Sequence, residues 1–250
     1  MTATSISDGR AIARRLLAEY LGSLLLAAIV IGSGIAAQKY SPHAAGLELL
    51  ENAAATAAGL FAIILMFGPV SGAHFNPVVS LVDAAFGGIS WRDAAMYVPT
   101  QIGGCVCGAM LANVMYSRAA ISLSTKHRAT PAHFVAEVVA TSGLLLVIFA
   151  LARSGRASSA PAAVGAYIGA AYFFTSSTSF ANPAIAIGRM FSNTFAGIAP
   201  SSVPTFVAAE LVGGVVGLVL VRALYPGVTD ADAARVVVPH GSPDSNEPRP

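Results

Sequence analysis

The chain has 250 residues, of which 55% are hydrophobic and only 10% charged, and its formal net charge is +2. With a mean hydropathy of +0.69, that balance excludes an ordinary water-soluble domain and offers no basic surface for a nucleic-acid partner. The apolar runs are long, continuous and rich in Ala, Leu and Gly, unlike the short alternating segments of a membrane β-barrel, so the expected setting is a lipid bilayer crossed by helices.

Six segments approach the roughly 20 apolar residues that a spanning helix needs: 12–37, 47–68, 94–116, 134–151, 160–175 and 203–224. The first has Arg10, Arg14 and Arg15 at its start; its length and the five later spans make it an uncleaved helix rather than a signal peptide. With the N-terminus inside, nine arginines between Arg10 and Arg249 fall on the cytoplasmic side, against Lys39, Arg118, Lys126 and Arg128 outside. That bias predicts a multi-pass protein of the inner (plasma) membrane with both termini cytoplasmic. Cys105 and Cys107 stand two apart on one helix, about 200° around its axis, too divergent to bridge; they read as small packing residues. The expected organisation is a short N-terminus (1–10), a membrane domain (11–225) and a flexible tail (226–250) rich in Pro, Asp, Ser and Arg.

The two halves repeat. "LLAEYLGSLLL", "HFNPVVS" and "QIGGCVCG" in residues 11–127 are answered in the same order by "FVAEVVATSGLLL", "FANPAIA" and "ELVGGVVG" in residues 128–225. Three spans per half make the second copy enter the membrane from the opposite side, which inverts the repeat. Glu19 and Glu137 each lie near the start of a half, inside an apolar helix where an unpaired carboxylate is costly. Accepting hydrogen bonds from irregular backbone is the structural role expected of them; a proton relay is the alternative. The paired glycines allow close helix approach.

Each Asn-Pro is a helix start, because Asn is a favoured N-cap and Pro is comfortable at the first helical position. The apolar segments that follow, Pro77–Phe86 and residues 183–191, are too short to span: ten residues reach roughly 15 Å, half of a core about 30 Å thick. Two such half-helices entering from opposite sides meet at the midplane. Irregular backbone at that depth is tolerated where it is buried in protein or lines a watery cavity, so the pattern points to a pore. The converging helix N-termini repel cations, and Asn76 and Asn182 offer amide N–H donors to a neutral, hydroxylated solute.

The inverted repeat, the "SGAHFNP" and "ANPA" stretches, the two glutamates and the paired glycines resemble the major intrinsic protein family of aquaporins and aquaglyceroporins. The resemblance implies an all-α fold of six transmembrane helices plus two half-helices. It also implies passive conduction through each protomer of a homotetramer, with pore motifs Asn76, Pro77, Val78 and Asn182, Pro183, Ala184. Val78 stands where the family usually has alanine, which implies a small change in pore shape.

Counting from the two asparagines, the same resemblance places the selectivity filter at Thr56, Ala170, Ser179 and Ile185, the last at a position that is nearly always Arg in the family. Such a filter is wide and uncharged. It is similar to that of bacterial arsenical channels of the family, which implies passage of neutral metalloid hydroxides such as arsenite, and of methylated arsenicals. The alternative is a glycerol or water channel with relaxed selectivity. Arg189, one turn beyond Ile185 and about 6 Å further toward the outer mouth, is expected either to supply a displaced positive charge to the vestibule or to reach headgroups or loop carbonyls. His74 resembles the family's inner-vestibule histidine, with loop hydrogen bonding or pH gating as its role.

No enzyme is expected, since no nucleophile and base, paired carboxylates or metal-ligand spacing can be located among these residues, and neither cofactor nor metal is called for. A proton-coupled transporter shares inverted repeats and broken helices but needs an ionisable midplane site that Glu19 and Glu137 do not supply once they serve the backbone.

Overall fold

The computed structural model describes residues 3–226; most of the expected tail lies outside the described residues. The described chain is helical: α1 (Ala3–Tyr40), α2 (Ala45–Ser71), α3 (Pro77–Phe86), α4 (Trp91–Met115), α5 (Pro131–Arg153), α6 (Ala160–Phe174), α7 (Pro183–Arg189) and α8 (Val203–Leu224). Five of these are long and apolar enough to cross a membrane. The helix at the sixth expected span, α6, has fifteen residues, about 22 Å at 1.5 Å per residue, and is preceded by a 3₁₀ turn at Ala157–Ser159.

Local chemistry sets the helix ends. The Ser90 side chain accepts from the Asp93 N–H to start α4, and Thr130 accepts from the His133 N–H, with Pro131 opening α5. Gly72 (φ 87°) and Gly87 (φ 83°) close α2 and α3 in the left-handed conformation that glycine adopts without strain. Large apolar side chains such as Leu65, Met66, Val139, Phe173 and Val219 remain exposed, as the lipid-facing wall of a helical membrane domain requires.

The two halves pack alike: α1 lies against α4 and α2, while α5 lies against α8 and α6. Glycines set the first contact of each pair. A methyl group on Gly104 would sit 2.5 Å from the Tyr20 carbonyl oxygen and one on Gly108 would collide with that of Leu24; at Gly213 it would lie 2.8 Å from the Val138 carbonyl and at Gly217 2.9 Å from Leu145 Cβ. Without a hydrophobic driving force between helices in lipid, such close approach is a main source of cohesion. Gly214 leaves room for Val78, whose Cγ1 lies 2.7 Å from where a Gly214 Cβ would stand; the bulk at Val78 is taken up against α8, away from the central cavity. Cys105 and Cys107 are free thiols.

Substituting Gly108→Ala should push α1 and α4 apart and cost about 1–3 kcal/mol. Gly103→Ala, where nothing but the Tyr20 ring at 4.0 Å is near, should be nearly silent. Thermal unfolding of the two detergent-solubilised variants, followed by intrinsic fluorescence, checks the contrast.

Candidate solute pathway

The half-helices α3 and α7 meet tip to tip through a reciprocal pair of hydrogen bonds. Asn76 Nδ2 donates to the Ala181 carbonyl at 2.7 Å and Asn182 Nδ2 donates to the Phe75 carbonyl at 2.8 Å. Each asparagine also caps its own helix: Asn76 Oδ1 accepts from the Val78 N–H, and Asn182 Oδ1 from the N–H groups of Ala184 and Ile185. An amide nitrogen carries two hydrogens, so each Nδ2 keeps one donor after bonding the opposite loop. Both asparagines line the central cavity.

The loops before the asparagines are strained. Ala73, Phe75, Ser179 and Ala181 all have positive φ, between 48° and 51°, a conformation that costs of order 1–3 kcal/mol in a non-glycine residue and persists only where the surroundings enforce it. Here buried carboxylates enforce it. Glu19 accepts from the N–H groups of His74 (3.0 Å) and Phe75 (2.8 Å), from Ser71 Oγ and from Gln101 Nε2. Glu137 accepts from the N–H groups of Phe180 (2.9 Å) and Ala181 (2.7 Å). Neither glutamate lines the cavity, so their geometry is that of loop anchors rather than of a relay. Glu210, at the repeat position of Gln101, accepts from the Asn182 N–H at 3.1 Å. Sequence reasoning passed over Gln101 and Glu210, although a polar residue opens each glycine motif, "QIGG" and "ELVGG".

The cavity has a volume of about 60 Å³, room for a short file of waters at about 10–15 Å³ each. Its walls are helical stripes four residues apart: Leu26 and Val30 on α1, Thr56, Leu60 and Ile64 on α2, Leu144 and Ile148 on α5, and Val164, Ile168 and Tyr172 on α6. Thr56, Ser179 and Ile185 line it as well. Ala170 does not: it is exposed on the outer face of α6, about 200° around the helix from both Ile168 and Tyr172. Tyr172 occupies the place expected for Ala170, its hydroxyl 3.1 Å from Thr56 Oγ1. A phenol therefore stands where a methyl group was expected, and the wall is narrower there.

Arg189 also departs from expectation. Side chains on a helix lean toward its N-terminus, so Arg189, in the last turn of α7, leans back toward the level of Ile185 instead of out to the mouth. It is 2% exposed and lines the same cavity as Thr56 and Tyr172. Its guanidinium carbon lies 3.5 Å from the Phe180 ring centroid, and its Nε donates to the Ala196 carbonyl, the loop-carbonyl contact foreseen as its alternative role. The cavity is thus not uncharged.

His74 lines the cavity near the half-helix junction. Its Nδ1 meets Ser80 Oγ at 3.0 Å and its Nε2 faces Asp83 Oδ2 at 3.3 Å, both on α3. Both ring nitrogens are thereby engaged in holding the loop to α3, and Asp83, unnoticed in the sequence, is a buried carboxylate with a specific partner. At the far mouth, the end away from the termini, Lys126 Nζ donates to the Phe195 carbonyl at 3.0 Å. Lys126 is exposed, but desolvation of its ammonium over the Phe195 ring, with Arg128 and Arg189 nearby, pulls its pKa down to about 8.

Comparison with known proteins agrees with this architecture. The sequence model of the family described as Major intrinsic protein matches residues 7–181. The chain is 46% identical to Aquaglyceroporin AqpS of Rhizobium meliloti (strain 1021), over 93% of this chain and 96% of that protein. It is 32% identical to the Glycerol uptake facilitator protein of Pseudomonas aeruginosa, over 74% of this chain and 75% of that one. Among solved structures, the aquaglyceroporin from Plasmodium falciparum superposes with a TM-score of 0.64 at 21% identity, covering 87% of this chain and 96% of its own.

Replacing Glu137 by Leu strands two backbone donors beside a left-handed Ala181 and should cost about 2–6 kcal/mol, enough to abolish the folded protein; Glu137→Gln, which keeps one acceptor oxygen, should fold with a reduced thermal midpoint. Monodispersity on size exclusion separates the two.

Proposed function

Because the chain belongs to the major intrinsic protein family and forms a channel for small solutes, we propose that its pore passes neutral, hydroxylated solutes larger than water, with metalloid hydroxides such as arsenite, and methylated arsenicals, as its clients. The observation that carries this reading is Ile185. It lines the cavity immediately beyond the second Asn-Pro-Ala, where its resemblance to the family would set an arginine, and it presents an apolar wall opposite a few hydroxyls. A neutral trihydroxy solute uses its oxygens on Thr56, Tyr172 and Ser179 and its less polar face on Ile185, Ile168 and Val30.

The mainly apolar stripes and the remaining Asn76 and Asn182 donors support passive permeation: they give an oxygen-bearing solute brief partners and no deep well, as conduction requires. A glycerol or water channel is the second reading, favoured by the narrowing that Tyr172 brings. The proposed assembly is a homotetramer with each protomer carrying its own pore, in the plasma membrane, with both termini cytoplasmic and the Lys126 mouth outside.

Stopped-flow measurements on proteoliposomes test this. Wild type should pass glycerol and neutral arsenous acid well above empty-liposome background, and Ile185→Arg should reduce both by about tenfold or more with a smaller loss of water flux. Water conduction alone, in both proteins, contradicts the proposal.

A further inference from the structure

Among the described residues Arg189 is a buried cation without a counter-ion in contact, since none of their carboxylates lies within salt-bridge distance of it. Only its Nε finds an acceptor, the Ala196 carbonyl, while the guanidinium rests on the Phe180 ring. Its four remaining N–H donors meet no acceptor among the described residues. Burying a charge in this way is costly unless something else completes its hydrogen bonds, and the open side of this one is the cavity.

A second group is incomplete at the same place. Ser179 lines the cavity and is 3% exposed, and its buried Oγ has no hydrogen-bond partner among the described residues. Native proteins leave few such atoms. Tyr172 and Thr56, bonded to each other, line the same region, and Ile185 supplies its apolar side. The unsatisfied groups therefore comprise a forked cation and a hydroxyl, a set that matches two or more oxygens on one small atom.

We propose that Arg189, Ser179 and Tyr172 form a binding subsite, in the filter half of the pore, for a small tetrahedral oxyacid taken as its monoanion. The guanidinium holds two oxygens of the anion, the Ser179 hydroxyl a third, and an apolar substituent on the central atom faces Ile185. Phe180 and the Ala196 carbonyl hold the guanidinium in place before the ligand arrives, so little ordering is needed on binding. The subsite rests on the channel reading. It adds that a neutral solute and an oxyacid anion compete for one place in the pore.

The probe is methylphosphonate, a tetrahedral oxyacid with one methyl face, added at a pH where its monoanion predominates, with glycerol efflux as the readout. Wild-type flux should be inhibited in a saturable manner. In Arg189→Gln the inhibition constant should rise about tenfold or more, and in Ser179→Ala, which strands no protein partner, about threefold; should Arg189→Gln not assemble, Ser179→Ala carries the test. Arg118→Gln removes an exposed charge from the same mouth and should leave the constant unchanged. An inhibition constant that is the same in wild type, Arg189→Gln and Ser179→Ala, or that shifts equally in Arg118→Gln, overturns the subsite alone; a wild type that passes no glycerol above background overturns both the subsite and the channel reading.

Discussion

Five backbone N–H groups in the middle of the molecule, those of His74, Phe75, Phe180, Ala181 and Asn182, have no helix or sheet to satisfy them, and three buried carboxylates accept all five. In a lipid environment no water is present to take their place, and each unmet group costs several kcal/mol. The carboxylates therefore decide where the chain may leave helical geometry, which decides where α3 and α7 begin. Everything that faces a solute is displayed on, or beside, the loops they hold. Glu19, which accepts four donors, and Glu137, which accepts one on each oxygen, tolerate burial because those bonds disperse charge that would otherwise be prohibitive there.

The inverted repeat makes this arrangement economical. Two copies of one loop anchor meet head to head, and each asparagine cross-bonds the partner copy, so neither half-helix is positioned without the other. The halves nevertheless differ where a solute would feel it. The first carries the His74, Ser80 and Asp83 cluster and an apolar approach, whereas the second carries Ser179, Phe180 and Arg189.

Much of this was legible in the sequence because it rests on backbone physics. Asn-Pro encodes a capped helix start, a glutamate in an apolar run must find donors, and glycines three or four apart mark close helix contacts; Asn76, Asn182, Glu19, Glu137, Gly104 and Gly213 all stand as those rules require. Side-chain placement around the bore was less accessible. Ala170 followed from counting residues back from Asn182, but whether that count survives the turn at 175–179 depends on loop geometry that sequence does not print. The stripe Val164, Ile168, Tyr172 was the better guide, since a four-residue period identifies a face without any count through a loop. Arg189 was assigned by distance along the axis, which ignored the backward lean of helical side chains.

Phe180 links these observations. Its N–H is bound by Glu137, its ring carries the Arg189 guanidinium at 3.5 Å on one side and has Arg128 at 5.4 Å, and its neighbours in the chain are Ser179 and Ala181. Cation–π contacts gain strength as water is excluded, so the buried ring fixes two cations where a carboxylate would have neutralised them. A carboxylate there would have held Arg189 as firmly but left nothing for a solute to bind. An aromatic partner positions the charge without cancelling it, which is why a cavity with an isoleucine at position 185 keeps a cation from a residue one turn further along α7.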